Sequence, residues 1–289
     1  MLYRTTKELA AFAAALETQG RGAATAVKYR REAETFLLWL GDRELTAAET
    51  AAYREHLAAT RTASGANGAV SALNRFFAFL GRPDCRLRGL PVQRKLCRDE
   101  ARELTAGEYK RLLSAARRNK RERLLLAMEA ICATGIRVSE LRFITVEAVR
   151  TGRATVTGKG KCREILLPGA LRQKLKRYLK GLGRWTKCGD YEASTCSQPV
   201  FLTAGGQPLD RSNLWREMRT LCKAAGVDPH KVFPHNLRHL FAKTFYTLNK
   251  DIAKLADLLG HASIETTRIY IMETGAAHAR LLERMHLLL

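Results

Sequence analysis

The sequence predicts a mainly α-helical protein with a small β-sheet, built as an N-terminal helical domain followed by an α+β domain. Apolar residues recur at helical spacing over most of the chain, as expected for helices that bury one face. One pair of β-prone runs flanks a short glycine-containing turn and predicts a hairpin. A basic stretch with little periodicity separates two helical regions, which predicts a linker between two domains.

The N-terminal domain is expected to span residues 1–85 and to consist of four or five short helices. Apolar residues follow helical spacing through 9–16 and again through 27–40, and glycines interrupt the chain after each run. A third helix is expected after Thr46 and a fourth through 70–80. Short helices of this kind need one another to bury their apolar faces, which indicates a small helical bundle.

Residues 86–102 are expected to form an extended basic linker, because this stretch carries Pro91, several Arg and Lys residues and little periodicity. A helix should begin sharply at Thr105, since Glu108 three residues later completes a capping-box pattern. The α+β domain is therefore expected over residues 103–289. Its helices are predicted at 105–118, 121–134, 169–180, 211–225, 236–249, 251–259 and 264–272, with an amphipathic segment from about 276 to the end.

The predicted hairpin pairs residues 154–157 with residues 164–167. Both runs contain β-branched or aliphatic residues, and the turn between them contains two glycines, which is typical of a tight connection. Lys159 and Lys161 lie in that turn. The hairpin is therefore expected to present a lysine at its tip.

The charge balance narrows the classes of function. The chain has 50 Lys and Arg residues against 28 Asp and Glu residues, a formal net charge of +22. Such an excess opposes compactness by self-repulsion, and a polyanionic partner such as nucleic acid would explain it. The alternative is a basic protein with no role at nucleic acid. A membrane partner is disfavoured, because no apolar run approaches the ~20 residues that span a bilayer and no segment combines a basic face with a large exposed apolar face.

The cysteines indicate a reducing compartment. There are seven, an odd number, and they are scattered without CxxC spacing, as is typical of free thiols in the cytoplasm. Cys188 and Cys196 could be half of a metal site, but no histidine lies between or beside them, which disfavours zinc. We therefore expect a cytoplasmic protein without a metal or another cofactor.

Residues able to carry chemistry lie where predicted helices begin or end. One arginine follows a helix end, a second opens a helix between two histidines, and a third histidine follows another helix end nine residues before a tyrosine. If these side chains converge, they form a cationic cluster with a single phenol. The set comprises Arg137, Glu140, Lys159, His235, Arg238, His239, His261 and Tyr270.

A cationic cluster with one phenol suits phosphoryl transfer at a DNA backbone. Guanidinium groups bind nonbridging phosphate oxygens in a bidentate manner, and fixed cations stabilise the charge that develops in the transition state. A tyrosine, with an ordinary pKa of about 10, needs help to lose its proton before it attacks. A lysine at a mobile tip can protonate the leaving oxygen.

Several of these residues also have an ordinary structural explanation. Arg137 and Glu140 could be a surface ion pair at i,i+3 spacing, worth only tenths of a kcal/mol. His235 could lie at a helix start without a special role. His261 could simply interact with the dipole at a helix end.

The phenol and the lysine each have a competitor in the sequence. Tyr270 could be a half-buried core residue with a satisfied hydroxyl. Tyr246 is the rival phenol, but it shares a helix face with several apolar residues, which favours a core position. Lys161 rivals Lys159, because both lie in the same turn.

Four segments together resemble the tyrosine recombinase family, the phage-type integrases, and especially its short Xer-like members. Residues 133–141, Ala-Thr-Gly-Ile-Arg-Val-Ser-Glu-Leu, resemble the first arginine box of the family, and residues 235–239, His-Asn-Leu-Arg-His, resemble the second. Residues 158–161 resemble the hairpin lysine, and 258–270 resemble the segment with the final histidine and the nucleophile. Each box alone is weak, whereas all four in this order form a strong signal over nearly the whole chain.

The resemblance implies a chemical role for four of the residues. Tyr270 would attack the scissile phosphate, form a 3′-phosphotyrosyl link and free a 5′-hydroxyl. Arg137 and Arg238 would hold the phosphate oxygens and stabilise the pentacoordinate state. Lys159 would act as the general acid toward the 5′-oxygen.

The remaining residues would assist that reaction. His235 is expected to handle the tyrosine proton, and His261 to donate a hydrogen bond to a phosphate oxygen. Glu140 is expected to orient Arg137, and His239 to support the site. Because the bond energy is kept in the phosphotyrosine, neither ATP nor a metal is expected to be needed.

The resemblance also assigns functions to the predicted domains. Residues 1–85 would be a helical core-binding domain of the SAM-like type that binds DNA, 86–102 a basic linker, and 103–289 a catalytic domain whose C-terminal helix links protomers. Contacts to DNA are expected at Arg88, Arg94, Lys95 and Lys161.

The expected partner is double-stranded DNA with two inverted half-sites, bound by a tetramer of this chain alone or with a paralogous recombinase. The chain begins almost directly with the core-binding domain, so an additional arm-binding domain is not expected. Integration of a mobile element and resolution of dimers both remain open, with a slight preference for the former. The alternatives are a topoisomerase of the same chemistry and a DNA-binding regulator without catalysis.

Overall fold

The computed structural model describes residues 2–92, 100–158, 161–185, 197–261, 263–271 and 283–284. The chain divides into two compact units, 1–95 and 96–289. The described residues are mainly helical with a two-stranded antiparallel sheet, which confirms the predicted fold class. Several predicted features lie outside the described residues: Lys159, Arg94, Lys95, Cys188, Cys196 and all but two residues of the segment from 276 to the end.

The first unit is a bundle of four helices, as the apolar spacing predicted. Its core is dominated by aromatic side chains at helical spacing, and rings from all four helices make edge-to-face contacts there. Thr46 and Thr62 cap the third and fourth helices by accepting hydrogen bonds from backbone N–H groups three residues later. The helices are α1 (Leu2–Thr18), α2 (Ala23–Leu40), α3 (Ala47–Thr60) and α4 (Ala63–Phe79), followed by a 3₁₀ helix at Pro83–Cys85.

The start of the expected linker lies against α4. The side-chain amide of Asn74 exchanges two hydrogen bonds of 2.8 and 2.9 Å with the backbone of Leu87. Asn67 makes the same exchange with Leu90, at 2.6 and 2.9 Å. A side-chain amide thus replaces a partner strand, and Leu87 is buried in the bundle core. Hydrophobic periodicity does not reveal this pairing, because it depends on two polar side chains of a neighbouring helix.

The second unit contains eight helices and one hairpin among its described residues. They are α5 (Ala106–Arg118), α6 (Glu122–Thr134), α7 (Val146–Thr151), β1 (Arg153–Gly158), β2 (Lys161–Leu166), α8 (Gly169–Gly181), α9 (Arg211–Ala225), α10 (Pro234–Asn249), α11 (Ile252–Leu259) and α12 (Ile264–Ile271). Short 3₁₀ helices occupy Glu100–Arg102, Val138–Phe143 and Pro229–Lys231.

Local sequence signals predicted most of these elements. The capping box at Thr105 and Glu108 is present and starts α5. The predicted hairpin is confirmed, with Ala154 opposite Ile165 and Val156 opposite Arg163. The short helix α7 and the 3₁₀ helices were not predicted, because one or two turns are too short to show a helical period.

Helix α6 lies at the centre of the second unit. Eight of its residues are buried, and it packs against α5, α8, α9 and α10. A helix that is apolar on nearly all sides is typical of such a central position. This helix ends at Gly135, and the next turn carries Arg137. The position of Arg137 is therefore set by a helix that is anchored in the core.

A smaller apolar cluster forms from α10, α11 and α12. Its buried members are Ala242, Leu255, Leu259 and Tyr270, with Phe241 and other partly buried residues packed against them. The amphipathic spacing of these helices predicts this cluster. It joins the helices that carry His235 and Tyr270 to the helix that ends just before His261. Across the described ranges, no helix is both long enough and apolar enough to cross a membrane.

Gly135 should be far more sensitive to substitution than Gly226, although both end helices with left-handed backbone (φ 67° and 59°). A Cβ at Gly135 would overlap the ring of Phe241, whereas one at Gly226 would meet no atom within 4 Å. Gly226→Ala should cost roughly 1–2 kcal/mol, from backbone strain alone. Gly135→Ala should cost about 1–3 kcal/mol more through overpacking.

Calorimetric unfolding of the two full-length variants would measure this difference as a larger loss of Tm for Gly135→Ala. Equal losses would mean that Phe241 yields freely, and that the close approach of α6 and α10 does not constrain the fold.

Candidate active site

Of the six predicted catalytic residues, the five that the structure describes come together in the second unit. Arg137, Arg238, His261, His235 and Tyr270 are linked by hydrogen bonds, ring contacts or charge interactions. They come from three places along the chain: the turn after α6, the start of α10, and the segment from the end of α11 through α12.

The turn after α6 positions Arg137 through Glu140. The Arg137 backbone N–H donates to Glu140 Oε2 at 2.7 Å, and Arg137 Nη1 donates to Oε1 at 2.9 Å. The Glu140 side chain is only 9% exposed, whereas that of Arg137 is 44% exposed. The pair is therefore more than a surface ion pair, because a buried carboxylate fixes the stem of a guanidinium that remains accessible.

The start of α10 places three functional groups on one helix face. Pro234 is the first helical residue, where its missing N–H costs nothing and its fixed φ favours the helix. His235, Arg238 and His239 follow at spacing i, i+3 and i+4, so their side chains lie on one face. The rings of His235 and His239 contact edge to face, with centroids 4.7 Å apart.

Arg238 is a buried cation held by the carboxyl ends of two helices. Its side chain is almost fully buried, in a residue that is 1% exposed. Nη1 donates to the carbonyl of Gly135, which ends α6, and Nη2 donates to the carbonyl of Leu259, which ends α11. These distances are 2.6 and 2.7 Å. Helix carboxyl ends carry partial negative charge, so they offset part of the cost of burying the guanidinium.

Burial lowers the pKa of Arg238 to about 10, and the charge of Arg137 contributes in the same direction, while Tyr270 opposes the shift. The guanidinium therefore stays protonated at neutral pH. Within the described part of the chain, its Nε has no hydrogen-bond partner. That donor is buried, so its hydrogen-bonding capacity is unused among these residues.

His261 is held in one tautomer by its two neighbours. Arg238 Nη2 lies 2.9 Å from His261 Nε2, and a guanidinium can only donate, so Nε2 accepts. The proton therefore resides on Nδ1, which donates to Thr267 Oγ1 at 2.8 Å. Burial lowers the pKa of His261 to about 4, with further lowering by Arg238, Arg137 and Arg163. The ring is neutral at physiological pH.

Tyr270 presents its hydroxyl to a histidine. The hydroxyl oxygen lies 3.3 Å from Nε2 of His235. The ring of His239 stacks on the phenol with centroids 4.2 Å apart, and the guanidinium carbon of Arg238 lies 5.9 Å from the phenol centroid. The ring also belongs to the buried cluster of α10, α11 and α12. The ring of Tyr270 is thus part of the core, while its oxygen lies within hydrogen-bond distance of a histidine.

The sequence profile described as the phage integrase family matches residues 102–276 of this chain. The chain belongs to that family. The match confirms the resemblance that the four sequence boxes indicated. It covers most of the unit that holds the site, and every described residue of the site lies within it.

The chain is similar in sequence to recombinases from other organisms. The chain is 36% identical over 170 residues to tyrosine recombinase XerD of Xanthomonas axonopodis pv. citri, covering 57% of this chain and 55% of the relative. It is 32% identical over 232 residues to tyrosine recombinase XerA of Pyrococcus furiosus, covering 77% and 74%. The chain thus spans about half the length of the first relative and about three quarters of the second.

Solved structures of two kinds share the fold. A lambda integrase (residues 75–356) dimer bound to a COC′ core site has a TM-score of 0.71 at 21% identity and covers 93% of this chain and 96% of that one. A crystal structure of XerA recombinase has a TM-score of 0.51 at 24% identity and covers 99% and 100%. At such identities the likeness shows the fold.

One residue of this integrase-family site was not predicted from the sequence. Arg163 on β2 donates to Glu140 Oε2 at 2.7 Å and to the carbonyl of Leu259 at 2.8 Å. The only available signal was its place in the strand, since it shares a face with the buried Ile165 while Cys162 and Glu164 are exposed. An arginine on the inner face of a strand needs charged or polar partners.

Other predicted residues lie elsewhere or are described only in part. Arg88 is exposed in the first unit, and its carbonyl accepts a hydrogen bond of 2.9 Å from Arg54 Nε. Lys161 opens β2 opposite Gly158. Cys162 is an exposed free thiol on the same strand, paired with Thr157. Cys162 has no described contact with the cluster.

His261 should make this family member less stable in mild acid. Its pKa is about 4 in the folded chain against an ordinary value of 6.5, so the unfolded chain binds more protons between these values. Stability from the neutral ring is therefore complete above pH 6.5 and is lost as pH falls toward 4. The loss between pH 7 and pH 5 should be about 1–2 kcal/mol.

Thermal unfolding of the wild type and His261→Gln at several pH values would isolate this contribution. The variant should lose less Tm than the wild type on acidification, since it lacks the titrating ring. Parallel curves for the two proteins would show that His261 does not resist protonation in the fold.

Proposed function

We propose that this member of the phage integrase family is a site-specific recombinase that cuts and rejoins double-stranded DNA, with Tyr270 as its nucleophile. The observation that carries the proposal is the Tyr270 hydroxyl, 3.3 Å from His235 Nε2. The guanidinium carbon of Arg238 lies 5.9 Å from the centroid of the Tyr270 ring, and the charge of Arg137 acts on Arg238. A phenol, a proton acceptor and fixed cations are the groups that transfer of a phosphodiester to tyrosine requires.

The first step exchanges one phosphate ester for another. The Tyr270 oxygen bonds to phosphorus as its proton passes to His235, and the bond from phosphorus to the 5′-oxygen breaks. Lys159 gives its proton to that 5′-oxygen, so the products are a 3′-phosphotyrosyl link and a 5′-hydroxyl. The reverse reaction, with a 5′-hydroxyl from a second duplex, restores Tyr270 and exchanges the strands. Since the number of phosphate ester bonds is unchanged, the reaction needs no ATP, and side-chain cations and proton donors supply its catalysis without a metal.

Arg137 and Arg238 hold the nonbridging oxygens during this step. Arg137 offers an accessible guanidinium on a stem fixed by Glu140. Arg238 remains charged and keeps Nε without a partner among the described residues. Both are oriented before substrate arrives, so little reorganisation is needed as negative charge develops.

His261 orients Arg238 before DNA binds and contacts a phosphate oxygen once DNA is bound. Without DNA its Nε2 accepts from Arg238, so donation to a phosphate oxygen requires a proton on that nitrogen. A bound phosphodiester favours this protonation, because it places negative charge beside the ring. His239 supports the site by stacking on Tyr270.

The DNA partner and the assembly follow from charge and from the relatives. The formal net charge of +22 suits a phosphate backbone, with exposed Arg88 and, in the segment before α5, Arg94 and Lys95 as proposed contacts. Lys161 at the hairpin is a further proposed contact. Solved neighbours include a lambda integrase tetramer bound to a Holliday junction and XerH recombinase bound to a difH substrate.

We therefore infer that the chain acts on two inverted half-sites as a tetramer, alone or with a paralogous recombinase. Residues 1–85 would bind the core site, 86–102 would link the domains, and 103–289 would hold the catalytic machinery and a C-terminal link between protomers. The free thiols are consistent with action in the cytoplasm. Integration or excision of a mobile element and resolution of dimers are both compatible with this reaction.

Tyr270→Phe should abolish the covalent protein–DNA adduct. The probe is a duplex selected from a randomised pool by binding to the wild-type protein, with a 5′-bridging phosphorothiolate at each candidate position so that the released thiol does not religate. Wild-type protein should give an adduct on a denaturing gel. Tyr246→Phe, the matched control for the other phenol of this region, should give as much adduct as wild type. An adduct with Tyr270→Phe would exclude this nucleophile.

Lys159→Ala should cut an ordinary selected duplex about 10²–10⁴-fold more slowly, since general acid catalysis is worth that much. The same variant should cut the phosphorothiolate within about tenfold of the wild-type rate, because the leaving group is a thiolate, which needs no protonation. Lys161→Ala should show no such selective rescue. Single-turnover rates on the two duplexes measure both effects, and rescue of Lys161→Ala instead would make Lys161 the acid.

A further inference from the structure

Arg163 occupies the inner face of the hairpin, at a position where strands usually place an apolar residue. Its side chain is 16% exposed, and its neighbours on the same face, Ile165 on β2 and Val156 on β1, are buried. Burial lowers its pKa, opposed by Glu140. A buried guanidinium is costly unless its donors are satisfied, so the contacts that it makes are informative.

Arg163 shares one hydrogen-bond acceptor with Arg137 and another with Arg238, the two arginines proposed to hold phosphate. Its Nη2 donates to Glu140 Oε2 at 2.7 Å, the oxygen that also accepts from the backbone N–H of Arg137. Its Nη1 donates to the carbonyl of Leu259 at 2.8 Å, the oxygen that also accepts from Arg238 Nη2. One guanidinium thus spans the turn of Arg137 and the helix end beside His261.

Gly260 leaves the space that this arrangement needs. A Cβ on Gly260 would overlap the Arg163 guanidinium, so any other residue there would displace the side chain. The left-handed backbone of Gly260, with φ 62°, also ends α11 and turns the chain into His261. The glycine therefore permits both the turn and the close approach of Arg163.

The spacing of the two acceptors requires an arginine rather than a cation in general. A guanidinium presents donors on two separate nitrogens in a rigid fork, whereas an ammonium is a single point on a flexible stem. Lysine at this position could balance the charge of Glu140, but it could not hold Glu140 and Leu259 at a fixed separation.

We propose that Arg163 is a positioning residue, which sets the distance between Arg137 and the pair formed by Arg238 and His261, and anchors the Lys159 hairpin to them. This inference rests on the proposed recombinase function. Arg163 acts through its neighbours on the cleavage step, since misplacing a reacting group by about 1 Å can cost on the order of 100-fold in rate. Binding of DNA, which many phosphate contacts share, depends little on it.

The test compares three substitutions in the full-length protein on the selected phosphorothiolate duplex. Arg163→Met and Arg163→Lys should each lower the single-turnover cleavage rate by about 30–300-fold, while the Kd for the same duplex changes by less than about threefold. Arg153→Met is the matched control, because Arg153 makes an exposed ion pair of 3.2 Å with Glu164 in the same hairpin. It should cleave within about twofold of wild type.

A double-mutant cycle with Glu140→Gln tests whether Arg163 acts through that carboxylate. Once Glu140→Gln has been made, Arg163→Met should lower the rate by less than about tenfold more, since residues in one network are not additive. Fully multiplicative losses would overturn the inference. Should Arg163→Met not fold, Arg163→Lys and its own cycle with Glu140→Gln decide the matter.

Two further results would overturn the inference while leaving the proposed function intact. Wild-type cleavage by Arg163→Lys would show that charge alone suffices, and equal slowing by Arg153→Met would show that the hairpin is merely fragile. Failure of the wild-type protein to form any adduct would instead contradict the proposed function itself.

Discussion

The site depends on the buried guanidinium of Arg238 and the two helix ends that hold it. Burying a cation in an apolar interior is unfavourable unless its donors are paired and opposite charge lies close by. The carbonyls of Gly135 and Leu259 supply both, because each lies at the carboxyl end of a helix. Arg238 in turn fixes the ends of α6 and α11 relative to α10. It therefore fixes the positions of Arg137 and His261, which follow those two helix ends.

The contacts around Arg238 also bring several positively charged side chains close together. Arg137, Arg163 and Arg238 influence one another's protonation or that of His261, and Glu140 is the carboxylate that links the first two. The neutral His261 adds no further cation in the absence of DNA. Cations that are already oriented stabilise the negative charge of a phosphoryl transition state without having to move. This stabilisation is the main physical requirement of the proposed reaction.

The proposed nucleophile is positioned by the packing of its ring as well as by polar contacts of its hydroxyl. The ring of Tyr270 belongs to the small apolar cluster of α10, α11 and α12, and His239 stacks on it. Only the hydroxyl is left to meet His235. A place in the core is therefore compatible with the proposed role as nucleophile, since the apolar ring determines where the polar oxygen lies.

The sequence by itself determined the features that depend on near neighbours. Helical spacing located most helices, Thr105 and Glu108 located a helix start, and two β-prone runs around a glycine-containing turn located the hairpin. The four segments that resemble the family also identified Arg137, His235, Arg238, His261 and Tyr270, which lie together in the structure. Tertiary structure alone decided the pairing of Asn74 with Leu87, the tautomer of His261 and the role proposed for Arg163, whose two acceptors lie 23 and 96 residues away. Local patterns reflect contacts within a few turns, whereas these interactions exist only after distant helix ends have met.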